Sequence, residues 1–306
     1  MENAIEATNL TKHYGNVIAV DNISFDVKSG EIFGFLGPNG AGKTTTIRML
    51  TGVIKPDSGS ARIMGYHIQR EALKAKQIMG IVPETSNAYT DLSAWNNLML
   101  IGELYGVSKK MRRERAEELL KEFGLYQRKN QLVKGYSKGM RQKLILCMAL
   151  MNEPQILFLD EPTSGLDVES ARLIRDIIRD LNRAGVTVFL STHNMEEANQ
   201  MCEKVAIINH GKIAAIDSPE RLRIRSSGLR SVEVSFDRPI DVGYLQFPGV
   251  REVRKTGDKV RLYADEPGDV IVRLMDYVRL NNLEIISLNT LAPTLEDVFI
   301  KLTKER

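Results

Sequence analysis

The segment GPNGAGKTT at residues 37–45 constrains this chain more than any other stretch. It satisfies G-x-x-x-x-G-K-[ST] and stands between an apolar run, IFGFL, and a helix-like run that opens near Thr45. Glycines in such a turn let backbone N–H groups point inward without Cβ clashes, which makes a cradle for β- and γ-phosphates. Gly37, Pro38, Asn39, Gly40, Ala41 and Gly42 form the turn, Lys43 adds a cation, and the Thr44 hydroxyl can ligand Mg²⁺. The helix beginning near Thr45 brings further positive potential.

A phosphate cradle of this type needs acids at the end of a neighbouring strand, and ILFLDE at 156–161 supplies two. Asp160 is expected to hold Mg²⁺ directly or through water, and Glu161 to polarise an attacking water as general base. Apolar runs of strand length alternate with helical patterns from Ala4 to about Leu222, the layout of an α/β domain on a largely parallel sheet. IEATNL, FDV, IFGFLG, ILFLD, VTVFLST and KVAIIN read as strands. Between about 85 and 154 the strand signal vanishes, and Ala94–Tyr105, Lys110–Phe123 and Gly139–Met151 read as helices of an inserted helical subdomain.

Pro219, Ser226, Ser227 and Gly228 interrupt the pattern, so a linker is expected over about Ser218–Ser231. Beyond it, SVEVSF, VREVRKT, KVRLYA and LEIISLN alternate as strands. Ile271, Leu274, Met275 and Val278 mark one apolar helical face, and a short helix is expected at Asp241–Leu245. The order βαββαβ is ferredoxin-like, and a last helix carries Leu295, Val298, Phe299 and Leu302. The expected architecture is thus a P-loop NTPase domain over 1–225 with an inserted helical subdomain, then a small α+β domain over 231–306.

Composition narrows the class. The balance of 42 basic and 39 acidic residues gives only +3, too little for a surface that coats nucleic acid. The longest apolar run, Leu144–Met151, is far short of the roughly 20 residues of a spanning helix. No basic segment followed by an apolar core opens the chain, so no secretory signal is expected. Two distant cysteines, Cys147 and Cys202, suggest neither a disulfide framework nor a metal site.

Three further segments carry a resemblance. YSKGMRQKL at 136–144 resembles the signature of ATP-binding-cassette (ABC) ATPases, DEPTSGLD at 160–167 their Walker B and D-loop, and STHNMEEA at 191–198 their switch-histidine segment. The likeness covers about residues 3–222 and implies an ATPase whose two copies close head to tail around two ATP molecules. It implies that Ser137 and the Gly139 backbone, with Asp167, contact the ATP bound by the other copy, and that His193 bridges the γ-phosphate and Glu161. By resemblance, Tyr14 in KHYGNVIAV takes the place of the aromatic that stacks on adenine; without the resemblance it also reads as a turn tyrosine before Gly15. Two departures stand out: Tyr136, Lys138 and Met140 replace three of five signature residues, and Glu84 stands where the family has a glutamine. A carboxylate there can still ligand Mg²⁺ but adds negative charge beside a triphosphate.

A motor of this family implies a separate transmembrane permease, which would hold the chain at the cytoplasmic face of the cell membrane. Residues 85–105, with Trp95, Leu98, Leu100 and Tyr105, are expected to dock it, although each of these side chains also suits a helix core. The tail from about Ser231, with TLEDVFIKLT, resembles the C-terminal domain of daunorubicin-resistance-type exporter subunits, and implies export and a regulatory or dimerisation role. Glu296 and Asp297 in it read as a helix N-terminal cap cluster. DNA- or ribosome-directed ABC ATPases are disfavoured by the single cassette and the lack of long insertions, and a GTPase by the absence of Asn-Lys-x-Asp.

Overall fold

The computed structural model describes residues 2–85, 88–225 and 230–304, and the chain divides into two compact units between Ile216 and Asp217. The first unit opens with β1 (Asn3–Tyr14), β2 (Val17–Lys28), β3 (Ile32–Leu36), α1 (Lys43–Leu50), β4 (Ser58–Ile63), β5 (Tyr66–His67), α2 (Ala72–Gln77) and β6 (Met79–Val82). It continues with α3 (Ala94–Leu104), α4 (Lys109–Glu122), α5 (Lys138–Ala149), β7 (Ile156–Asp160), α6 (Val168–Arg183), β8 (Thr187–Thr192), α7 (Met195–Met201), β9 (Lys204–Asn209) and β10 (Lys212–Asp217).

Two sheets result, a four-stranded one in the order β2-β1-β4-β5 and a six-stranded one in the order β10-β9-β3-β8-β7-β6. From β9 to β6 the larger sheet is parallel. Every residue of β3, β7 and β8 is buried, which explains their unbroken apolar runs: a parallel strand covered on both faces has no solvent side to alternate toward. Phe25 of the antiparallel sheet packs on Phe33, Phe35 and Phe189 at centroid distances of 5.6–6.0 Å, so aromatic rings join the two sheets.

No strand runs between 85 and 154 among the described residues; α3, α4 and α5 occupy that span, each opened by a serine. Ser93, Ser108 and Ser137 accept hydrogen bonds from the backbone N–H groups of Asn96, Met111 and Met140. Both cysteines are buried free thiols. No helix of the described residues is long and apolar enough to cross a membrane.

The second unit contains α8 (Pro219–Arg225), β11 (Ser231–Phe236), β12 (Val250–Thr256), β13 (Lys259–Ala264), α9 (Pro267–Leu280), β14 (Ile285–Leu291) and α10 (Leu295–Lys304). Its sheet, β12-β13-β11-β14, is antiparallel throughout and has the ferredoxin-like order. Three details differ from the sequence reading. The expected linker holds α8, which packs against α10, while Ser226, Ser227 and Gly228 lie outside the described residues. The short helix at 241–245 is a single 3-10 turn, Val242–Leu245, capped by Asp241. The buried stripe of α9 is Val270, Leu274 and Val278, and Met275 faces outward, because the helix presents an i, i+4 row to a narrow sheet.

Asp297 is a cap and more. It exchanges hydrogen bonds with Thr294 in a capping box, accepts from the Tyr263 hydroxyl at 2.9 Å, and lies 3.2 Å from the Arg261 guanidinium. These bonds fix the start of α10 to β13. Burial, together with the Asp297 carboxylate, pushes the Tyr263 phenol up to about 12.

Candidate functional site

The turn after β3 is threaded where side chains do not fit. A Cβ on Gly37 would stand 2.4 Å from the Ile208 carbonyl oxygen. Gly42 has φ +108° and would bring its Cβ 2.5 Å from the Ala19 carbonyl oxygen, so only glycine fits there. Helix α1 begins at Lys43, two residues ahead of the Thr45 start expected, and no side chain caps it. Its first N–H groups therefore remain free to meet an anion.

Lys43 is nearly buried, and its Nζ donates to the carbonyl oxygens of Gly37 at 2.8 Å and Pro38 at 3.1 Å. It also pairs with Glu161 Oε1 at 3.2 Å. Glu161, directly past β7, adopts φ +52°, in the left-handed region that a non-glycine residue occupies only when its surroundings hold it there. The Ser191 carbonyl accepts its N–H at 3.1 Å. Its second oxygen, Oε2, lies 2.8 Å from His193 Nδ1, which donates in the tautomer protonated at that nitrogen. His193 is half exposed, whereas Glu161 is not. One strand over, Asp160 stands opposite Ser191 in the β7–β8 register, and the buried Ser191 hydroxyl donates to its Oδ1.

A cleft of about 290 Å³ is lined by Asn39, Gly40, Gly42, Lys43, Thr44 and Thr45 together with Glu84, Glu161 and Ala19. A second one is lined by Thr44, Glu84, Thr85 and Asp160, among others, so Thr44 and Glu84 face both. The fold thus brings together the phosphate loop, Asp160 and Glu161 at the end of β7, and Glu84 just past β6. Tyr14, 47% exposed at the end of β1, has Lys12 Nζ 5.9 Å from its ring centre and lines neither cleft.

Ser137, Gly139 and Asp167 gather elsewhere. A Cβ on Gly139 would stand 2.7 Å from Ser170 Oγ, and Asp167 accepts from both the N–H and the hydroxyl of Ser170 at 2.8 and 2.9 Å. Those two bonds hold the Asp167 carboxyl below the usual carboxylate range. Ser137 caps α5, its oxygen accepting from Met140 N–H at 3.2 Å. None of the three lines the cleft of its own phosphate loop.

Sequence reasoning passed over Ala19, Ser191, Thr163 and Glu197. Glu197 left a trace: it falls one turn before Met201 on the buried side of α7, an acid where the helical period calls for an apolar residue. Expectation and structure part at Leu98, which is fully buried and belongs to the core of the helical region rather than to a docking face. Trp95 is half-buried, with Lys129 Nζ 5.3 Å from its ring centre, and Ser86 and Asn87 lie outside the described residues.

Family models match residues 20–164 as "ABC transporter" and 218–303 as "ATP-binding protein DrrA1-3-like, C-terminal domain". The linearmycin resistance ATP-binding protein LnrL of Bacillus subtilis (strain 168) is 35% identical over 98% of both chains. The Nod factor export ATP-binding protein I of Rhizobium sp. (strain N33) is 36% identical over 98% of this chain and 97% of that one. Among solved structures, an ATP-binding subunit of an ABC transporter superposes with TM-score 0.67 at 29% identity, covering 72% of this chain and 92% of that one. The ATP-binding cassette MJ0796, solved as a dimer bound to ADP and Pi, superposes with TM-score 0.64 at 26% identity over 70% of this chain and 98% of that one. With both of its units matched and relatives aligned over nearly its whole length, this chain belongs to the ATP-binding subunits of ABC transporters and is an ATPase.

Proposed function

We propose that two copies of this chain close head to tail around two ATP molecules, each completing the other's site with Ser137, Gly139 and Asp167, and that closure and reopening drive a separate transmembrane permease. The observation that carries this reading is the separation of two half-sites. The phosphate loop, Glu84, Asp160, Glu161 and His193 converge on one region, while the other three residues lie together outside its cleft. That the similar cassette MJ0796 was solved as a dimer supports the pairing of two copies.

In each site the N–H groups of the loop and of the start of α1 receive the phosphates. The triphosphate competes with Glu161 for the Lys43 ammonium, which frees one side of that carboxylate. Glu161, still held by His193, then accepts a proton from the attacking water. Thr44, Asp160 and Glu84 offer only hard oxygen donors along adjoining clefts, a set that fits Mg²⁺ shared with phosphate oxygens. When bound, that ion would neutralise charge developing on the phosphates.

The permease would place the chain on the cytoplasmic face of the membrane. We assign its docking to the 85–105 segment, where Tyr89 and Leu104 are exposed and Trp95 is half-buried. The relatives' names, linearmycin resistance and Nod factor export, support outward transport of a drug-, lipid- or polymer-like molecule. To the second unit we assign a regulatory or dimerisation role.

Lys43→Ala tests the assignment. An ATP titration should show markedly weakened binding, because the variant lacks the one side-chain cation that lines the cleft among the described residues. Near-wild-type affinity would overturn it. Isolation of the chain from cells should bring a membrane protein with it, and recovery with nucleic acid instead would overturn the transport reading.

A further inference from the structure

Glu197 is 2% exposed, yet it is a carboxylate. Its Oε1 accepts a hydrogen bond from the Thr163 hydroxyl at 2.6 Å, and its Oε2 is buried without a hydrogen-bond partner among the described residues. Burying a carboxylate with half of its acceptor capacity unused is costly, and a packing role would be met better by an apolar side chain. Thr163 lies two residues past Glu161 in the turn that leaves β7, a turn closed by the Ser164 N–H donating to the Glu161 carbonyl at 3.1 Å. Glu197 lies four residues past His193, in the first turn of α7.

The same two segments therefore meet twice, once through Glu161 and His193 and once through Thr163 and Glu197. Between the two meeting points the chain has little freedom. Asn194 accepts at its Oδ1 from the N–H groups of Glu196 and Glu197, both at 3.0 Å, and its own N–H donates to Thr192 Oγ1 at 3.0 Å. The His193 side chain is half exposed, so packing around the ring does not hold it; its backbone position must be set by its neighbours.

We propose that Glu197 is a positioning residue for ATP hydrolysis: through Thr163 it clamps the segment carrying Glu161 to the segment carrying His193, and so holds the two at bonding distance. This rests on the assignment of Glu161 and His193 as the hydrolytic pair. The clamp acts on the order of the site and not on its affinity for phosphate, since neither Thr163 nor Glu197 lines the phosphate-loop cleft. Its loss should appear in kcat, because misplacement by about 1 Å costs as much as 100-fold.

The test compares Glu197→Ala, Glu197→Gln, Thr163→Val and Thr163→Ser in the full chain by steady-state ATP hydrolysis, ATP binding and melting temperature. Glu197→Ala and Thr163→Val should each lower kcat by about tenfold to 100-fold, with ATP affinity within about twofold of wild type. Glu197→Gln and Thr163→Ser, which keep an acceptor and a donor, should restore most of the rate. In a His193→Ala background, Glu197→Ala should cost no more than about twofold further, because the pair it positions is already gone. Three results overturn the proposal: wild-type kcat in Glu197→Ala, full additivity with His193→Ala, or a loss in Glu197→Ala matched by Glu197→Gln. Should Glu197→Ala not fold, Thr163→Val and Thr163→Ser alone decide, by loss and rescue. Glu161→Gln runs alongside: if it hydrolyses ATP as wild type does, the hydrolytic pair is misassigned. If it is inactive while Glu197→Ala is normal, only the clamp fails.

Discussion

Replacing Glu161 by glutamine separates the two tasks proposed for this side chain, pairing with Lys43 and accepting a proton from water. Amide nitrogen and oxygen cannot take a proton from water as a carboxylate does, so hydrolysis should fall by at least about 100-fold, or about 2.7 kcal/mol on the barrier at about 1.36 kcal/mol per tenfold. Binding should move the other way. Lys43 and Glu161 are 6% and 7% exposed and 3.2 Å apart, so an arriving triphosphate must compete with a buried partner. Removing one charge of a buried pair costs about 3–5 kcal/mol, and a triphosphate would relieve that cost by pairing Lys43 again. Glutamine keeps a carbonyl oxygen for Lys43, as Gly37 and Pro38 already do, so only part of that energy is released. A tightening of about tenfold, or roughly 1.4 kcal/mol, is the expected size. Thermal melting with and without ATP, ATP titration and phosphate release measure the three quantities. The variant should melt lower than wild type without ATP, gain more on adding it, and elute as a dimer with saturating Mg-ATP. Weaker ATP binding, hydrolysis within about tenfold of wild type, or a monomeric profile would refute the reasoning.

Glu84→Gln should leave ATPase activity within about tenfold of wild type, since either side chain offers one oxygen to a hard cation; a loss like that of Glu161→Gln would give the carboxylate a catalytic role of its own. Leu98→Ala should cost about 2–5 kcal/mol of stability because the side chain is fully buried, read as a lowered melting temperature, whereas Trp95→Ala should cost less. Equal losses would contradict their different burial. The Tyr263 phenol is held at about 12 by burial and Asp297, against about 10 unfolded, so its contribution is fully present below about pH 10 and is lost as pH rises toward 12. Denaturant midpoints between pH 9 and 12 should fall less steeply in Tyr263→Phe than in wild type, and parallel curves would count against that environment.

The parts of this molecule legible in its sequence are those written in consecutive residues. A glycine turn between strand and helix, apolar strands buried on both faces, serine-led helices and acids at a strand end all announce themselves locally, and β3, β7, β8 and β9 stand where they were expected. What joins Lys43 to Glu161, or Thr163 to Glu197, is strand pairing across the sheet, which leaves no mark in either neighbourhood. Strands β4 and β5 and the short β6 escaped because SGSARI and a two-residue strand give no clear period, and β1 departs from strict alternation at its register shifts. The face that Leu98 presents was undecidable in advance, because a leucine suits a helix core and a docking surface equally. Helix α8 was hidden by the proline at its start, which reads as a break and is also well placed in a helix's first turn.

The pairing of Asp160 with Ser191 gives the placement of Asp160, though not the finer alignment of Glu161 and His193, an all-or-none character. A one-residue slip between β7 and β8 would turn Asp160 to the opposite face of the sheet and carry it away from Thr44. No continuous series of half-misplaced registers lies between those two outcomes, and the tilted ring contact of Phe158 with Phe189 resists the slip. Damage to the sheet should therefore thin the population of working molecules and leave the turnover of each survivor unchanged.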